Sequence, residues 1–547
     1  MALDRLAAGL RPYLLLALLT LAMALPGIAS IPPLDRDESR FAVASREMIE
    51  TEDFVTVRFQ DEIRAKKPPL INWLQAETAE LTGHVDDIWA YRIPSVIGIL
   101  AAVLATFYFG RAMLGAPAAL IAAALLAVTP LAASEAHQAK TDALLLACVV
   151  IAQGALARFY LAERRGETKP GWGTALAFWL AQAAAILIKG PILPMVSALT
   201  IITLIAADRR APRAWAWLKG LRPLPGVALV IILVAPWAIA VSLATRGQFI
   251  AQAVGNDLVS KLIGGQEAHA AAPGTYLLLA TATLWPGSIF ILPGLVRAVG
   301  ARADPAIRFF LAWAIPAWIV FEMVPTKLPH YVLPAVPALV LLAGAAVAAD
   351  GAIFRRTWVR VYALLCALVG AAVAVAAIGA PLLLSAGFAW PSIPCAAGAL
   401  VAGIASAWLL LRGQIKQAAG VAVIASLITL AFLFGGVVPS LDKMWVADRA
   451  VQFVPHGAPA AATGFREPSL VFLLGTHTKL TDAAGAADFL SATPHGVAVV
   501  EQADEAAFQA RLAMAGHNPR SLGEADGLNY SRGKPARLTV WTLDAKP

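Results

Sequence analysis

The chain has 547 residues, of which 59% are hydrophobic and 14% are charged, and its mean hydropathy is +0.70. Soluble domains carry about 25% charged residues, so this composition excludes an ordinary soluble protein and indicates an integral membrane protein. The net charge of +8 does not require a nucleic-acid partner, because excess Lys and Arg of membrane proteins collect in cytoplasmic loops.

Apolar runs of about 20 residues, each able to cross a hydrocarbon core of roughly 30 Å, recur along most of the chain. The first, "YLLLALLTLAMALPGIASI", is longer than a signal-peptide core and lacks a convincing cleavage site, so we interpret it as a membrane helix. We predict a mainly α, polytopic protein with about thirteen spans, centred near residues 21, 103, 125, 151, 181, 198, 234, 286, 315, 340, 370, 400 and 427. The cysteines, Cys148, Cys366 and Cys395, lie in apolar segments, which favours neither a disulfide framework nor a thiolate metal site.

The distribution of charge in the loops predicts the topology. With a cytoplasmic N-terminus, alternate loops carry "RFYLAERRGETK", "DRRAPRAWAWLKGLR", "RAVGARADPAIR", "FRRTWVR" and "RGQIK", which are basic as cytoplasmic loops should be. The loops of the other face, chiefly residues 31–91 and 245–273, hold most of the mixed acids, bases and histidines. Because loops on a rigid scaffold commonly carry sites, we expect the functional chemistry on this outer face.

The polarity of the chain changes after about Pro439. Short β-like runs, "SLVFLLG", "GVAVVEQ" and "ARLTVWTL", then alternate with the helix-like "DEAAFQARLAMAG". We therefore expect a membrane domain over residues 1–440, with the first outer loop at 31–91, and a small α/β domain over residues 441–547 on the same outer face.

The segment "LDRDESRFAVASREMIE" in the first outer loop has the acids and apolar spacing of a helix start. Asp37 and Arg40 are three residues apart and share one face of that helix. A carboxylate near a helix N-terminus is stabilised as the anion, which suits a general base or a cation ligand. The alternative is an ordinary N-cap of an amphipathic helix on the membrane surface.

The segment "RAKKPPLINWL" places Lys66 and Lys67 directly before apolar sequence. Lysine is costly in hydrocarbon and normally reaches back to the interface, where it contacts lipid headgroups. The functional alternative is that one lysine binds a phosphate at the membrane boundary.

Further polar residues lie in the later outer loops. "HQAKTDALLL" places Asp142 at the mouth of the fourth span, either as a helix cap or as a substrate contact. His137 is expected to have an ordinary hydrogen-bonding role, and metal binding by His137 together with Asp142 is the less favoured alternative. Lys189 of "LIKGP" interrupts apolar sequence, so we expect it to be paired or to face a cavity. Jointly, four lysines are expected to surround an anionic headgroup beside a few carboxylates: Lys67, Lys189, Lys261 and Lys327.

The ordered set of motifs resembles a known family. A D-E-x-R-F helix, a K-P-P segment and an R-x-P-S helix are followed by "KTDALL", "LIKGP", "APW", "PGTYLL" and "KLPHYVLPAVPAL". This order resembles the polyprenyl-phosphate-dependent GT-C glycosyltransferases, in particular the bacterial lipid A aminoarabinose transferases and the protein O-mannosyltransferases. Each motif alone is modest, but the ordered set covers the whole membrane region and is specific.

The resemblance implies a GT-C fold with periplasmic juxtamembrane helices, in the bacterial inner membrane. It implies transfer of a sugar from an undecaprenyl phosphate or similar carrier to a lipid A, lipopolysaccharide-core or related glycan acceptor on the periplasmic face. The family's carrier-phosphate contacts fall on Lys67 and Tyr331, the motif arginine on Arg40, and the catalytic or acceptor-positioning acids on Asp37 and Asp142. A protein acceptor and a flippase for a lipid-linked sugar are the alternatives.

Two departures concern a metal. Aminoarabinose transferases carry an acid, implicated in metal binding, immediately before the phosphate-binding lysine, whereas this chain has Lys66 there. Their E-H-x-x-R-F stretch corresponds to "GNDLVSKL", with Asp257 near the histidine position and Lys261 standing for the arginine. The resemblance therefore suggests a divalent metal, but its ligands are replaced here, and we predict no metal-binding residue.

Overall fold

The computed structural model describes residues 2–64, 66–210, 214–253, 271–349, 351–385 and 387–543. Within these ranges the chain is mainly helical up to residue 451, and a five-stranded sheet with three helices follows. The α-helices are Ala2–Leu6, Arg11–Ala24, Asp37–Thr51, Leu70–Thr82, Ile88–Leu114, Ala116–Ala127, Pro130–Ala136, Asp142–Arg165, Trp172–Lys189, Ile192–Ala207, Pro223–Ala244, Gln248–Gln252, Thr275–Thr283, Ser288–Gly300, Pro305–Met323, Val336–Ala348, Thr357–Leu384, Ser392–Leu400, Ser406–Leu411, Ile415–Phe432, Val446–Val451, Pro468–Leu474, Ala483–Ala492 and Gln502–Met514. Short 3-10 helices span Ala216–Leu221, Pro329–Ala335, Ala352–Arg355 and Asp442–Met444, and π-helical turns span Val401–Ala405 and Leu433–Val437.

Nine helices of the described ranges are long and apolar enough to cross a membrane. A tenth span results if Ala116–Ala127 and Pro130–Ala136, which meet at a bend of 59°, are one broken span. Three shorter apolar helices, Arg11–Ala24, Ile192–Ala207 and Ser288–Gly300, occupy the remaining predicted positions. The prediction of a mainly α, multi-pass membrane protein is confirmed, although three of the thirteen predicted positions carry helices shorter than the length that spans a bilayer.

The strands form two sheets. A two-stranded antiparallel ribbon in the first loop pairs β1 (Arg58–Phe59) with β2 (Glu62–Ile63). The C-terminal sheet has the order β4-β3-β5-β7-β6, with bounds β3 Ala460–Thr463, β4 Lys479–Leu480, β5 Val497–Glu501, β6 Pro519–Asn529 and β7 Lys534–Leu543. β3 is parallel to β4 and β5, and β7 is antiparallel to β5 and β6. β5 reads "VAVVE" and its first four residues are buried, as expected for a central strand covered on both faces.

A buried ion pair joins the first loop to the membrane helices. The guanidinium of Arg92 donates to both carboxylate oxygens of Glu38 at 2.8 Å, and both side chains are fully buried. Arg92 also donates to the carbonyls of Ile28, Ile31 and Pro32. Such bidentate, fully hydrogen-bonded geometry is what a buried ion pair needs to compensate for its loss of hydration.

The same pair reaches the segment before Asp142. Glu38 accepts a hydrogen bond of 2.8 Å from the backbone N–H of Ala139, and Ser95 donates to the carbonyl of Gln138 at 2.6 Å. The Ile88–Leu114 helix also lies close to Asp142–Arg165, because a Cβ on Gly98 would meet the backbone of Ala143 at 2.6 Å. The motifs D-E-x-R and R-x-P-S therefore fix the loop that carries Asp142 against the helix that begins at Asp37.

The C-terminal domain packs on the first loop. The backbone N–H of Asp35 donates to the hydroxyl of Tyr530 at 2.6 Å, and Gln60 Nε2 donates to the carbonyl of Thr478 at 2.6 Å. Tyr91 and Phe472 pack edge to face with ring centroids 5.5 Å apart. These contacts place the turn between β6 and β7 beside the start of the Asp37–Thr51 helix.

We expect Glu38→Ala to destabilise the protein by about 3–5 kcal/mol, because Arg92 then keeps a buried charge without its partner. Denaturant titration of the detergent-solubilised protein measures this loss. Glu77, an exposed acid of the next loop helix, is the matched control, and Glu77→Ala is expected to change stability by less than about 0.5 kcal/mol. A double Glu38→Met, Arg92→Met variant should lose less than Glu38→Ala alone; equal losses in Glu38→Ala and Glu77→Ala would contradict this account.

A second prediction concerns Asp35, which lies under the C-terminal domain. Burial raises the pKa of its carboxyl to about 6, and the neighbouring Glu467 adds to that rise. The stabilisation from a protonated Asp35 is present below its ordinary pKa of 3.8 and is lost as the pH rises through about 6. Asp35→Asn should therefore raise the melting temperature at pH 8 and have little effect near pH 4, whereas Glu77→Gln should be neutral at both. A gain from Asp35→Asn that does not depend on pH would contradict this reading.

Candidate active site

A cavity of about 460 Å³ opens between the first loop, the ends of the membrane helices and the C-terminal domain. Its lining is strongly cationic. Among the described residues nine cationic side chains face it, namely Arg36, Arg40, Arg64, Lys66, Lys67, Lys140, Lys189, Arg466 and Arg532. The carboxylates of its lining are Asp37, Asp142 and Glu467. This excess of positive charge suits an anionic ligand.

Asp37 begins the first loop helix and faces the cavity. Burial raises the pKa of its carboxyl, but attraction from cationic groups, first Arg64 and then Lys140, outweighs burial and holds the pKa below its usual value. The preceding residue, Arg36, has φ of 68°, a conformation that is costly for a residue with a side chain. Arg36 also donates to the carbonyl of Ser531, so a contact with the C-terminal domain holds this turn.

Asp142 begins the fourth predicted span and is paired with Lys189. The Lys189 Nζ lies 2.5 Å from Asp142 Oδ1, and His330 Nε2 lies 3.9 Å from Asp142 Oδ2. Lys189 ends the Trp172–Lys189 helix, where Gly190 (φ of 74°) turns the chain. Lys189 is therefore both paired and in the cavity wall, the two states expected of a cation that interrupts apolar sequence.

A second buried pair lies beside the first. Lys140 Nζ is 2.9 Å from Glu135 Oε1, with the side chains 7% and 2% exposed, and 3.4 Å from His330 Nδ1. His330 thus lies between two acid–lysine pairs. Glu135 is a residue that sequence reasoning missed. The available signal was a carboxylate five residues before a lysine, a spacing that does not itself predict contact.

The candidate phosphate-binding residues line the same wall. Arg40, Lys67 and Tyr331 all face the cavity, with Lys67 partly exposed. The ring of Tyr331 lies 5.4 Å from Lys189 Nζ and 5.0 Å from the ring of His330. Six of the eight predicted site residues therefore meet in one cavity: Asp37, Arg40, Lys67, Asp142, Lys189 and Tyr331.

Two predicted residues are not part of this wall. Lys327 donates to the carbonyls of Glu322 and Val324 at 2.7 and 2.8 Å, so its ammonium caps the end of the Pro305–Met323 helix, and it is not among the residues that line the cavity. These two hydrogen bonds use two of the three N–H donors of its ammonium. Lys261, like Asp257, lies outside the described residues.

The described residues of the cavity do not fit a divalent metal. Within the described part of the chain no group of three or more His, Cys, Asp or Glu side chains is placed to hold one. Both ring nitrogens of His137 lie 2.8 Å from backbone carbonyls, of Ala133 and Pro26, which leaves neither nitrogen for a metal. At the position of the expected acid the cavity has the ammonium of Lys66, which would repel a cation.

The C-terminal domain contributes residues that sequence reasoning missed. Arg466 and Glu467 lie in the loop after β3, and Ser531 and Arg532 lie in the β6–β7 turn. These positions are more than 400 residues away along the chain from Asp37, and no local pattern in "GFREPS" or "NYSRGK" indicates a contact with the first loop.

Comparison with known proteins agrees with this geometry. A family model described as dolichyl-phosphate-mannose-protein mannosyltransferase matches residues 66–239. The undecaprenyl phosphate-alpha-4-amino-4-deoxy-L-arabinose arabinosyl transferases of Edwardsiella ictaluri and Aeromonas salmonicida are 24% and 28% identical over 312 and 318 residues. These alignments cover 56% and 57% of this chain but only 54% and 55% of the relatives, so the chain spans about half the length of the curated relatives it matches.

Solved structures share the fold over nearly the whole chain. ArnT from Cupriavidus metallidurans bound to undecaprenyl phosphate superposes with a TM-score of 0.76 at 20% identity, covering 99% of this chain and 100% of that one. The archaeal oligosaccharyltransferase AglB from Archaeoglobus fulgidus superposes with a TM-score of 0.54 at 12% identity, covering 98% and 74%. The chain is therefore a multi-pass membrane protein of the GT-C fold that resembles the aminoarabinose transferases and the protein mannosyltransferases.

Proposed function

We propose that this chain is an inner-membrane glycosyltransferase that transfers a sugar from a polyprenyl phosphate, such as undecaprenyl phosphate, to a lipid A, lipopolysaccharide-core or related glycan acceptor. The observation that carries the proposal is the cavity at the ends of the membrane helices, where cations outnumber the carboxylates Asp37, Asp142 and Glu467. A phosphate carried on a membrane lipid would reach a cavity at the ends of the membrane helices. The matched relatives, undecaprenyl phosphate-alpha-4-amino-4-deoxy-L-arabinose arabinosyl transferases, support the same reaction class.

The cationic wall would bind the carrier phosphate. Lys67, Arg40 and Tyr331 supply an ammonium, a planar guanidinium and a hydroxyl, which are the donors that phosphate oxygens accept. During transfer the bond between the anomeric carbon and the phosphate oxygen breaks, and its electron pair stays on the phosphate. Donors already positioned at that oxygen stabilise the developing charge, and each typically contributes about 10²–10³ in rate.

The carboxylates would act on the other side of the anomeric carbon. A bond forms between that carbon and the acceptor oxygen. A hydroxyl acceptor would give its proton to Asp37, which faces the cavity, whereas an ionised phosphate acceptor has no proton to give. Asp37 is held ionised by its cationic neighbours, so it can accept a hydrogen bond from the acceptor and stabilise positive charge at the anomeric carbon. An ionised Asp37 suits both roles, since it can act as the general base for a hydroxyl acceptor or orient the acceptor and stabilise charge when the acceptor is a phosphate.

Asp142 has a different role in this proposal. Its oxygens are engaged by Lys189 at 2.5 Å and approached by His330 at 3.9 Å. A carboxylate held this closely orients the lysine and histidine at the cavity wall, and Lys189 is then placed to share the charge of the carrier phosphate. Glu135 and Lys140 form the adjacent pair that fixes His330 from its other nitrogen.

The cellular arrangement is also part of the proposal. The basic loops predicted on the opposite face are cytoplasmic under the positive-inside rule, which places the cavity and residues 441–547 in the periplasm. Residues 1–440 then form the catalytic membrane domain, with the loop at 31–91 supplying Asp37, Arg40 and Lys67.

Lys67→Ala and Asp37→Asn are expected to lower sugar transfer by at least about 10²-fold, because one removes a phosphate contact and the other the anion beside the anomeric carbon. The measurement is product formation by purified protein in nanodiscs that contain an undecaprenyl-phosphate sugar and an acceptor. Lys416→Ala and Asp488→Asn, at exposed positions outside the cavity, are the matched controls and should keep wild-type rates. Full transfer by either cavity variant would contradict the assignment of its residue.

The same preparation separates the competing functions. A flippase would move the lipid-linked sugar across vesicles without forming a glycosylated product, and a protein O-mannosyltransferase-like enzyme would label a polypeptide and not a glycolipid. Sugar on lipid A or on core glycan supports the proposed acceptor class.

A further inference from the structure

Two arginines of the C-terminal domain belong to two cavities at once. Arg466 and Arg532 line the candidate active site, and both also line an open groove of about 630 Å³ on the C-terminal domain. Gly464, Asp482 and Asp504 form other parts of that groove. The groove therefore continues from the active site across the surface of the C-terminal domain, with the two guanidinium groups at the boundary.

The two arginines use fewer of their hydrogen-bonding groups on protein partners than the neighbouring acids do. Asp504 accepts a hydrogen bond of 2.5 Å from Thr463, and Asp482 accepts one of 2.7 Å from the backbone N–H of Gly485 as a helix cap. Within the described residues Arg466 forms no ion pair, and it donates to the carbonyl of Thr481 at 3.0 Å. A guanidinium has five N–H donors, so most of the donors of Arg466 are available to a ligand.

Arg532 is similarly placed. Its Nε lies 3.4 Å from Glu467, but that carboxylate is also engaged by Asn529 at 3.0 Å, and the side chain of Arg532 is 52% exposed. The pair with Glu467 positions the guanidinium at the edge of the cavity without burying it. A bidentate contact to an incoming oxyanion remains geometrically open to such a side chain.

The turn that carries Arg532 is held rigidly beside Asp37. Tyr530 accepts from the backbone of Asp35 at 2.6 Å, and Arg36 donates to the carbonyl of Ser531. The two residues that precede Arg532 are thus bonded to the two residues that precede Asp37. A ligand bound by the arginines would be fixed relative to the carboxylate that faces the anomeric carbon.

Charge indicates which substrate the arginines bind. A polyprenyl-phosphate sugar carries a single ionised phosphodiester, and Lys67, Arg40 and Lys189 already meet it under the proposed function. The two arginines belong to the C-terminal domain and are exposed to water, which suits contact with the headgroup of a glycolipid acceptor. We propose that Arg466 and Arg532 bind an anionic group, a phosphate or a carboxylate, on the acceptor glycan, away from the atom that reacts, so that the C-terminal domain selects the acceptor. This proposal rests on the proposed function.

The test measures binding to the full-length protein in nanodiscs, with four probes. They are bisphosphorylated lipid A, dephosphorylated lipid A, a lipid-linked oligosaccharide whose acids are carboxylates alone, and undecaprenyl phosphate. The wild type should bind the phosphorylated or the carboxylated glycolipid about tenfold or more tightly than the neutral one, and the preferred probe tells phosphate from carboxylate.

The variants assign that preference to the two arginines. The double Arg466→Ala, Arg532→Ala variant should lose about tenfold in affinity for the anionic glycolipid and keep its affinity for undecaprenyl phosphate within about twofold. The double Arg466→Lys, Arg532→Lys variant keeps the positive charges but lacks the planar guanidinium groups, so it should lose less affinity for the anionic glycolipid. Arg511→Ala removes an exposed arginine that pairs with Asp488 in the same domain, and it should bind all probes as the wild type does.

Three results would overturn the proposal: equal binding of anionic and neutral glycolipid by the wild type, unchanged binding by the double alanine variant, or an equal loss for undecaprenyl phosphate. The last result would assign the arginines to the carrier phosphate. Transfer assays on the same samples report separately on the proposed function. A protein that shows this binding pattern but forms no product would support the anion-binding subsite and contradict the proposed transferase activity.

Discussion

The ion pair between Glu38 and Arg92 is the constraint on which the rest of the site depends. It is fully buried, bidentate and completed by backbone carbonyls of the first loop, so it has little freedom to rearrange. Because Glu38 also binds the N–H of Ala139, one carboxylate fixes both the helix that begins at Asp37 and the segment that leads to Asp142. Asp37 and Asp142, from distant parts of the chain, are thereby held in one cavity wall by Glu38, which does not itself line the cavity.

Electrostatic balance explains why these acids stay ionised among apolar helices. Lys189 contacts Asp142 directly, and attraction from Arg64 and Lys140 lowers the pKa of Asp37. The cavity still has more cations than carboxylates after these pairings, and that remaining charge is the basis for binding anionic substrates. Lys66, which stands where the family resemblance leads one to expect an acid, adds to this positive charge.

Much of this architecture could be predicted from sequence, because its signals are local. Hydropathy locates the membrane helices, and the alternation of basic loops assigns the polar segments to one face. Asp37, Lys67, Asp142, Lys189 and Tyr331 then fall in outer segments, and the structure places them in one cavity. The roles of these residues in catalysis remain part of the proposal.

Other features depend on contacts that no local pattern encodes. Lys327 has the same sequence context as a phosphate-binding lysine, but its ammonium donates to two carbonyls at the end of a helix, those of Glu322 and Val324. Arg466 and Arg532 reach the cavity only because the C-terminal domain packs on the first loop through Asp35, Gln60 and their partners. Such packing between segments hundreds of residues apart becomes visible only in the folded chain.

The most direct test of the central claim is an experimental structure of the full-length protein in nanodiscs with undecaprenyl phosphate. The account predicts the phosphate in the cavity, in contact with Lys67 and Tyr331, with its polyprenyl chain directed into the bilayer. A phosphate bound outside this cavity, or the absence of binding at saturating carrier, would contradict it.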